Sequence, residues 1–191
     1  AENEITKLDS RSAVYSLVNG VGRTEGRPIG ALYSIPFAGL TEEGLPTFFI
    51  DAEHTQVVGP GNYAAIYFQE YENIDYLKYE GTIDPKITGS FGNTFSWKGL
   101  KLNVFFTYSF GNVLRLDNLS PVYSSDYSDL TASMKEMKNR WMVPGDENIT
   151  TIPSIPTVRQ MREIDALNNA YSAYNYSTER VAKGDFIRLK E

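Results

Sequence analysis

The side chains able to do acid–base or nucleophilic work are few and scattered. His54 is the only histidine and the chain has no cysteine. A metal cage or a Ser-His-Asp relay therefore has one histidine to draw on, and thiolate chemistry has none. His54 stands in a loop-like stretch where spacing fixes no partner for it. Carboxylates are plentiful, with Asp75, Asp84, Asp146 and Asp185 among them. A glycosidase needs two at a set separation, and nothing in the sequence sets one; solvated surface acids are the ordinary case. "GPGN", residues 59–62, is shorter than a phosphate loop and lacks the Lys-Ser/Thr that follows one. The triplets "NLS", "NIT" and "NYS" fit a glycosylation acceptor, but such triplets are common by chance in Asn- and Ser-rich loops. No catalytic step, metal or cofactor is expected.

The strongest pattern is physical rather than catalytic. "GSFGNTFSWKGLKLNVFFTYSFGN", residues 89–112, reads as a β-hairpin turning at Lys98 and Gly99, which places Trp97 opposite Leu100, Phe95 opposite Leu102, Asn93 opposite Val104 and Phe91 opposite Phe106. Side chains alternate along a strand, so Phe91, Phe95, Trp97, Leu100, Leu102, Val104, Phe106, Tyr108 and Phe110 share one face. Ser90, Gly92, Thr94, Ser96, Lys101, Asn103, Phe105, Thr107 and Ser109 share the other. A slip of one residue would exchange the two faces, so the register is strongly specified.

Two environments accept such an apolar face: the core of a soluble β-sandwich, and lipid around a membrane barrel. A strand over residues 100–110, rising about 3.3 Å per residue and tilted about 40°, covers about 25 Å of membrane normal, the height of a barrel's apolar band. Half-buried soluble strands alternate too, so the pattern alone leaves both open.

The elements that must carry this hairpin are modest. A length of 191 residues suits a single region with enough chain for a core. The net charge of -6 gives no electrostatic footprint for nucleic acid. No apolar run is long enough for a transmembrane helix, a test that a membrane strand escapes because its inward residues dilute the hydropathy. No charged-then-apolar leader follows Ala1, which suggests an internal piece of a longer chain.

Along the chain, "NEITKL" reads as a short strand, followed by a loop through Gly20, Gly22 and Gly26. "RPIGALYSIPFAGL" alternates weakly around Ile29, Ala31, Tyr33 and Ile35, with Pro36 confining it to an edge or a strand end. "GLPTFFID" is a further strand. "NIDYLKYEG" suggests a helical turn or two closed by Gly81. Beyond the hairpin, residues 124–141 place Leu130, Met134, Met137 and Trp141 at helical spacing, with Ser125 or Asp126 as cap. A second helix is expected through "TVRQMREIDALNNA", opened by a Thr157–Gln160 capping box. "GDFIRLK" is the next strand-like text, which makes residues 112–184 a long loop carrying short α-helices; barrels keep their long loops outside.

Four segments, in this order, resemble the later part of the barrel of SusC/RagA-type TonB-dependent outer-membrane transporters: "GRPIGALYSIPFAGLTEEGLPTFFID", "YEGTIDPKITGSFGNTFSWKGLKLNVFFTYSFGN", "NRWMVPGDENITTIP" and "RVAKGDFIRLKE". The resemblance implies a mainly β fold: antiparallel hairpins of an incomplete transmembrane barrel, formed by residues 1–191 as one region, with the hairpin at 88–111. It turns the apolar face toward lipid and Ser90, Thr94, Ser96, Asn103 and Thr107 toward the lumen, and it suits Trp97 and Tyr108 to the band's interfacial margins. It also implies a nutrient importer for glycans or oligopeptides in the outer membrane, its outer loops facing the exterior. A SusD-like lipoprotein would sit over those loops and TonB on the periplasmic side. No plug or coupling segment is recognisable, so the chain alone is not expected to transport. The loop aromatics Tyr123, Tyr127 and Trp141 are candidates to stack on a ligand, with helix packing the plainer role for Trp141. A soluble carbohydrate-binding or cell-surface β module is the alternative, and a second sheet of this chain covering the hairpin would favour it.

Overall fold

A computed structural model describes residues 3–119 and 135–190. The fold is mainly antiparallel β with a few short helices, and among the described residues the strands do not close into a barrel. Two strands dominate: β6 (Ile87–Trp97) and β7 (Leu100–Phe110) pair along their full length, from Ile87↔Phe110 to Trp97↔Leu100, in the register expected from the sequence. The turn explains why. Lys98 and Gly99 both have positive φ, 45° and 88°, so the two-residue turn has the left-handed backbone whose twist matches the flanking strands. Gly99 adopts it without a Cβ penalty.

A third strand, β10 (Phe186–Lys190), lies along the other edge of β7, with Phe186 opposite Ser109 and Lys190 opposite Phe105. The sheet order is β10-β7-β6, and both outer edges are unpaired among the described residues. At the end away from the turn the ribbon continues through a bulge into β8 (Val113–Arg115) and β9 (Val181–Lys183). The Gly184 N–H donates to the Asn112 carbonyl at 2.9 Å, and Asp185 Oδ1 accepts from the Gly111 N–H at 2.6 Å, so the ladder's donors stay satisfied through the irregularity.

The remaining elements pack into a head above this sheet. They are α1 (Val14–Val18), the pair β1 (Ala31–Ser34) and β5 (Lys78–Thr82), the small sheet β2 (Phe37–Leu40), β3 (Pro46–Phe49) and β4 (Val57–Val58), and helices α2 (Val158–Glu163) and α3 (Leu167–Asn175). Val14, Leu17, Ile35, Phe48, Tyr63 and Ala170 are each at most 1% exposed and share one core. No residue of β6, β7 or β10 belongs to that core. The head thus has a buried core of its own, and the sheet does not.

Chain before and after the hairpin interlocks to build the head. Ile35 takes a hydrogen bond from the Thr178 N–H at 3.1 Å and gives its own N–H to Tyr176 at 2.9 Å. Arg115 donates to the Val18 carbonyl at 2.9 Å, the Tyr33 carbonyl at 2.5 Å and the Ser177 carbonyl at 3.3 Å, tying α1, β1 and the end of α3 together. Burial pushes the Arg115 pKa down to about 10. Arg180, 3% exposed, pairs with Glu136 at 2.6 Å and donates to the Asp117 carbonyl.

Several local expectations need correction. "NEITKL" makes a single bridge, Glu4 to Pro28, rather than a strand. Gly81 lies inside β5 instead of closing a helix, because Tyr79 pairs with Tyr33 and Gly81 itself with Leu32 of β1, across a bulge at Glu80. The second helix forms with its Thr157–Gln160 capping box, but it breaks at Ala166, φ 54°, into α2 and α3. Within residues 112–184 the structure adds β8 and β9 to the helices, and residues 135–139 form a 3-10 turn. The rest of the helix expected over residues 124–141, like Tyr123 and Tyr127, lies outside the described residues except for its last two positions.

Candidate functional site

The residues singled out for acid–base chemistry are occupied with structural tasks or stand alone. His54, in the turn between β3 and β4, stacks on Phe49 with ring centroids 4.8 Å apart. Asp51 in the same turn accepts from the Thr55 and Gln56 N–H groups at 2.9 and 2.7 Å, bonds that hold its carboxyl below the usual range against the opposing desolvation. Asp146 accepts from the Met142 and Val143 N–H groups at 2.9 and 3.0 Å. Asp185 caps the bulge described above. Asp75 and Asp84 are exposed. Among the described residues no His, Asp and Glu cluster could hold a metal ion.

Trp141 is half-buried and anchored. Its indole lies over Gly44, where φ is 73° and an added Cβ would run into the ring, and its N–H donates to Glu147 Oε2 at 3.0 Å. That bond, with the Gly145 N–H at 2.8 Å on the same oxygen, keeps the Glu147 carboxyl below its ordinary range. One ring face and the single donor are thus engaged within the head.

The exposed feature of the molecule is the three-stranded sheet. On one face stand Phe91, Phe95, Trp97, Leu100 and Leu102, all 55–70% exposed, with Val104, Phe106 and Tyr108 half-buried beside them. Tyr108 folds over Gly89 across the ladder and stacks on Phe110 at 5.6 Å, which shelters that end. The third strand extends the face: Ile187 pairs with Tyr108 and Leu189 with Phe106, and they are 67% and 62% exposed. These two were missed in the sequence, although "FIRLK" alternates apolar with basic residues. Asn93 is the face's one amide, and it carries no charge.

The opposite face differs in kind. It presents Ser90, Thr94, Ser96, Asn103 and Thr107, with Thr94 Oγ1 hydrogen-bonded to Asn103 Oδ1 at 2.8 Å, and adds Lys101, Arg188 and Lys190. Phe105 is its aromatic exception on β7, and its ring covers Gly92 on β6.

A sheet exposing this much hydrocarbon must be covered. Each large side chain is worth about 1.5–3 kcal/mol when withdrawn from water, and a contiguous patch of them marks an interface. No second sheet of the described chain lies over it. The arrangement has one apolar face and one mainly polar face, with a head whose core takes no residue from the sheet. It defines a class of protein: an open section of antiparallel wall joined to a structured cap. No helix among the described residues is long and apolar enough to cross a membrane, and that test does not address β-strands.

Comparison with known proteins agrees with that class. The fold is similar to part of a solved structure of the RagAB peptide importer in its open-open state, with a TM-score of 0.57 and 22% sequence identity. The similarity covers 98% of this chain and 18% of that one, so the chain spans about a fifth of the length of the structure it matches. No family model matches the chain, and no curated protein sequence does.

Proposed function

We propose that this chain is part of the barrel wall and outer head of a SusC/RagA-type TonB-dependent nutrient importer of the Gram-negative outer membrane. The observation that carries this reading is the sheet β6-β7-β10, which presents an uncharged, exposed apolar face and contributes no residue to the buried core of the head. In the membrane that face meets acyl chains and the opposite face meets the lumen. The head sits at the end of the sheet opposite the tight 98–99 turn, and barrels keep short turns periplasmic and long loops outside. The head is then exterior. The role is passage of an oligopeptide or glycan with no chemical step. A SusD-like lipoprotein would cover the head and TonB would act from the periplasm through parts of the importer other than these residues.

Brominated lipids test the placement. In the full-length importer, reduced to Trp97 and Trp141 as its only tryptophans and reconstituted with acyl-chain-brominated phospholipid, Trp97 fluorescence is expected to be strongly quenched and Trp141 fluorescence not. Equal quenching of the two, or none at Trp97, would refute the lipid assignment.

A further inference from the structure

The charges on the exposed sheet are sorted by sign as well as by face. The chain holds 24 acidic and 18 basic residues, yet β6, β7 and β10 contain no carboxylate. Their three charged residues, Lys101, Arg188 and Lys190, are all cations and all on the face opposite the apolar band. The pairing sets their positions: Arg188 stands beside Thr107, Lys190 beside Phe105, and Lys101 further down β7 beside Ser96. With a rise of about 3.4 Å per residue, they form a line about 20 Å long that runs from the head toward the turn. Thr107, Asn103, Thr94 and Ser90 supply hydroxyl and amide groups along the line, with the Phe105 ring beside Lys190 and the Phe186 ring under the Arg188 guanidinium at 5.2 Å. None of the three makes an ion pair among the described residues.

We infer that this line is an anion-guiding track in the importer's lumen, and that it favours oligopeptides rich in Asp and Glu. The inference rests on the importer reading proposed above. In a water-filled passage with low-dielectric walls, fixed charges of one sign focus the field and raise the local concentration of the opposite sign, and pores selective for anions use Arg and Lys in this way. The spacing suits a carboxylate handed from one cation to the next without being held by a closed pair. Hydroxyls and amides between the cations can exchange hydrogen bonds with a peptide backbone of any sequence.

The test uses cells producing the full-length importer with its partners and three labelled peptides of equal length: acidic, neutral and basic. Replacing all three cations by Gln is expected to lower the uptake rate of the acidic peptide about tenfold and to leave the neutral one within twofold. Replacement by Glu should further raise uptake of the basic peptide. The single Arg188→Gln variant, which leaves most of the wall intact, should reduce acidic-peptide uptake about two- to threefold. Uptake of all three peptides that is indifferent to these substitutions would overturn the track while leaving the importer reading in place. An equal fall for all three peptides would also overturn it, showing that the cations pair with an acidic segment inside the barrel. Absence of any peptide uptake by the unmodified importer would overturn the track and narrow the importer reading to glycans.

Discussion

Replacing Phe91 by Arg puts a charge where the apolar face has most to lose. Phe91 is the fifth residue of β6, opposite Phe106, and is 60% exposed. With acyl chains against this face, an Arg near mid-depth costs about 2–4 kcal/mol, and one at the band's margin, such as Leu100 beside the turn, costs about 0–1 kcal/mol. The first figure corresponds to about a 30- to 700-fold loss in the folding equilibrium. In water the same exchange at an exposed position falls within about 0.5 kcal/mol of neutral. The assay is denaturant-dependent folding of the full-length protein into phosphatidylcholine vesicles, read from the mobility shift of folded barrels on unheated gels. Phe91→Arg should lose about 2–4 kcal/mol, and Leu100→Arg and the opposite-face Ser90→Arg about 1 kcal/mol or less. Equal costs for the three variants would refute the placement of lipid against Phe91.

Three further outcomes concern the head. Arg115→Met leaves the Val18, Tyr33 and Ser177 carbonyls without their donor and is expected to destabilise the head by about 2–4 kcal/mol, seen as faster amide hydrogen exchange in α1 and β1 with β6 unchanged. Gly44→Ala places a Cβ against the Trp141 ring at a positive φ and should cost about 1–3 kcal/mol, with a red-shifted Trp141 emission. Burial raises the Tyr76 and Tyr174 pKa values to about 12. Unfolded tyrosine gives up its proton near pH 10, so between about pH 10 and 12 the native state binds more protons and stability falls as pH rises. Tyrosinate absorbance from these two residues should therefore appear together with loss of head structure; smooth titration near pH 10 in a folded head would contradict their burial.

The hairpin was legible because its information is local. A two-residue turn that accepts positive φ and a period of two over the strands fix every pair from Ile87↔Phe110 to Trp97↔Leu100. The third strand was legible as a strand, and its alternation separates Ile187 and Leu189 from Arg188 and Lys190, but its partner β7 is distant in sequence, so only the pairing shows that this apolar side joins the hairpin's. The capping box of α2 was readable for the same local reason as the turn, whereas the break at Ala166 depends on how α3 packs into the core. Arg115 and Arg180 were invisible, because arginine is ordinarily solvated and the carbonyls they hold come from remote segments. Trp141 stood out by type and helical spacing; that its ring is used on Gly44 needed the tertiary structure.

Site-directed spin labelling along residues 100–110 of the full-length protein in lipid vesicles, one cysteine at a time, asks most directly what the two faces touch. Labels at positions 102, 104 and 106 are expected to collide with oxygen, which concentrates among acyl chains, and labels at 101, 103 and 107 with a water-soluble nickel chelate. The two accessibilities should alternate with a period of two and opposite phase. Labels that are equally open to the nickel chelate on both faces, or shielded from both reagents at 102, 104 and 106, would contradict a lipid-facing band.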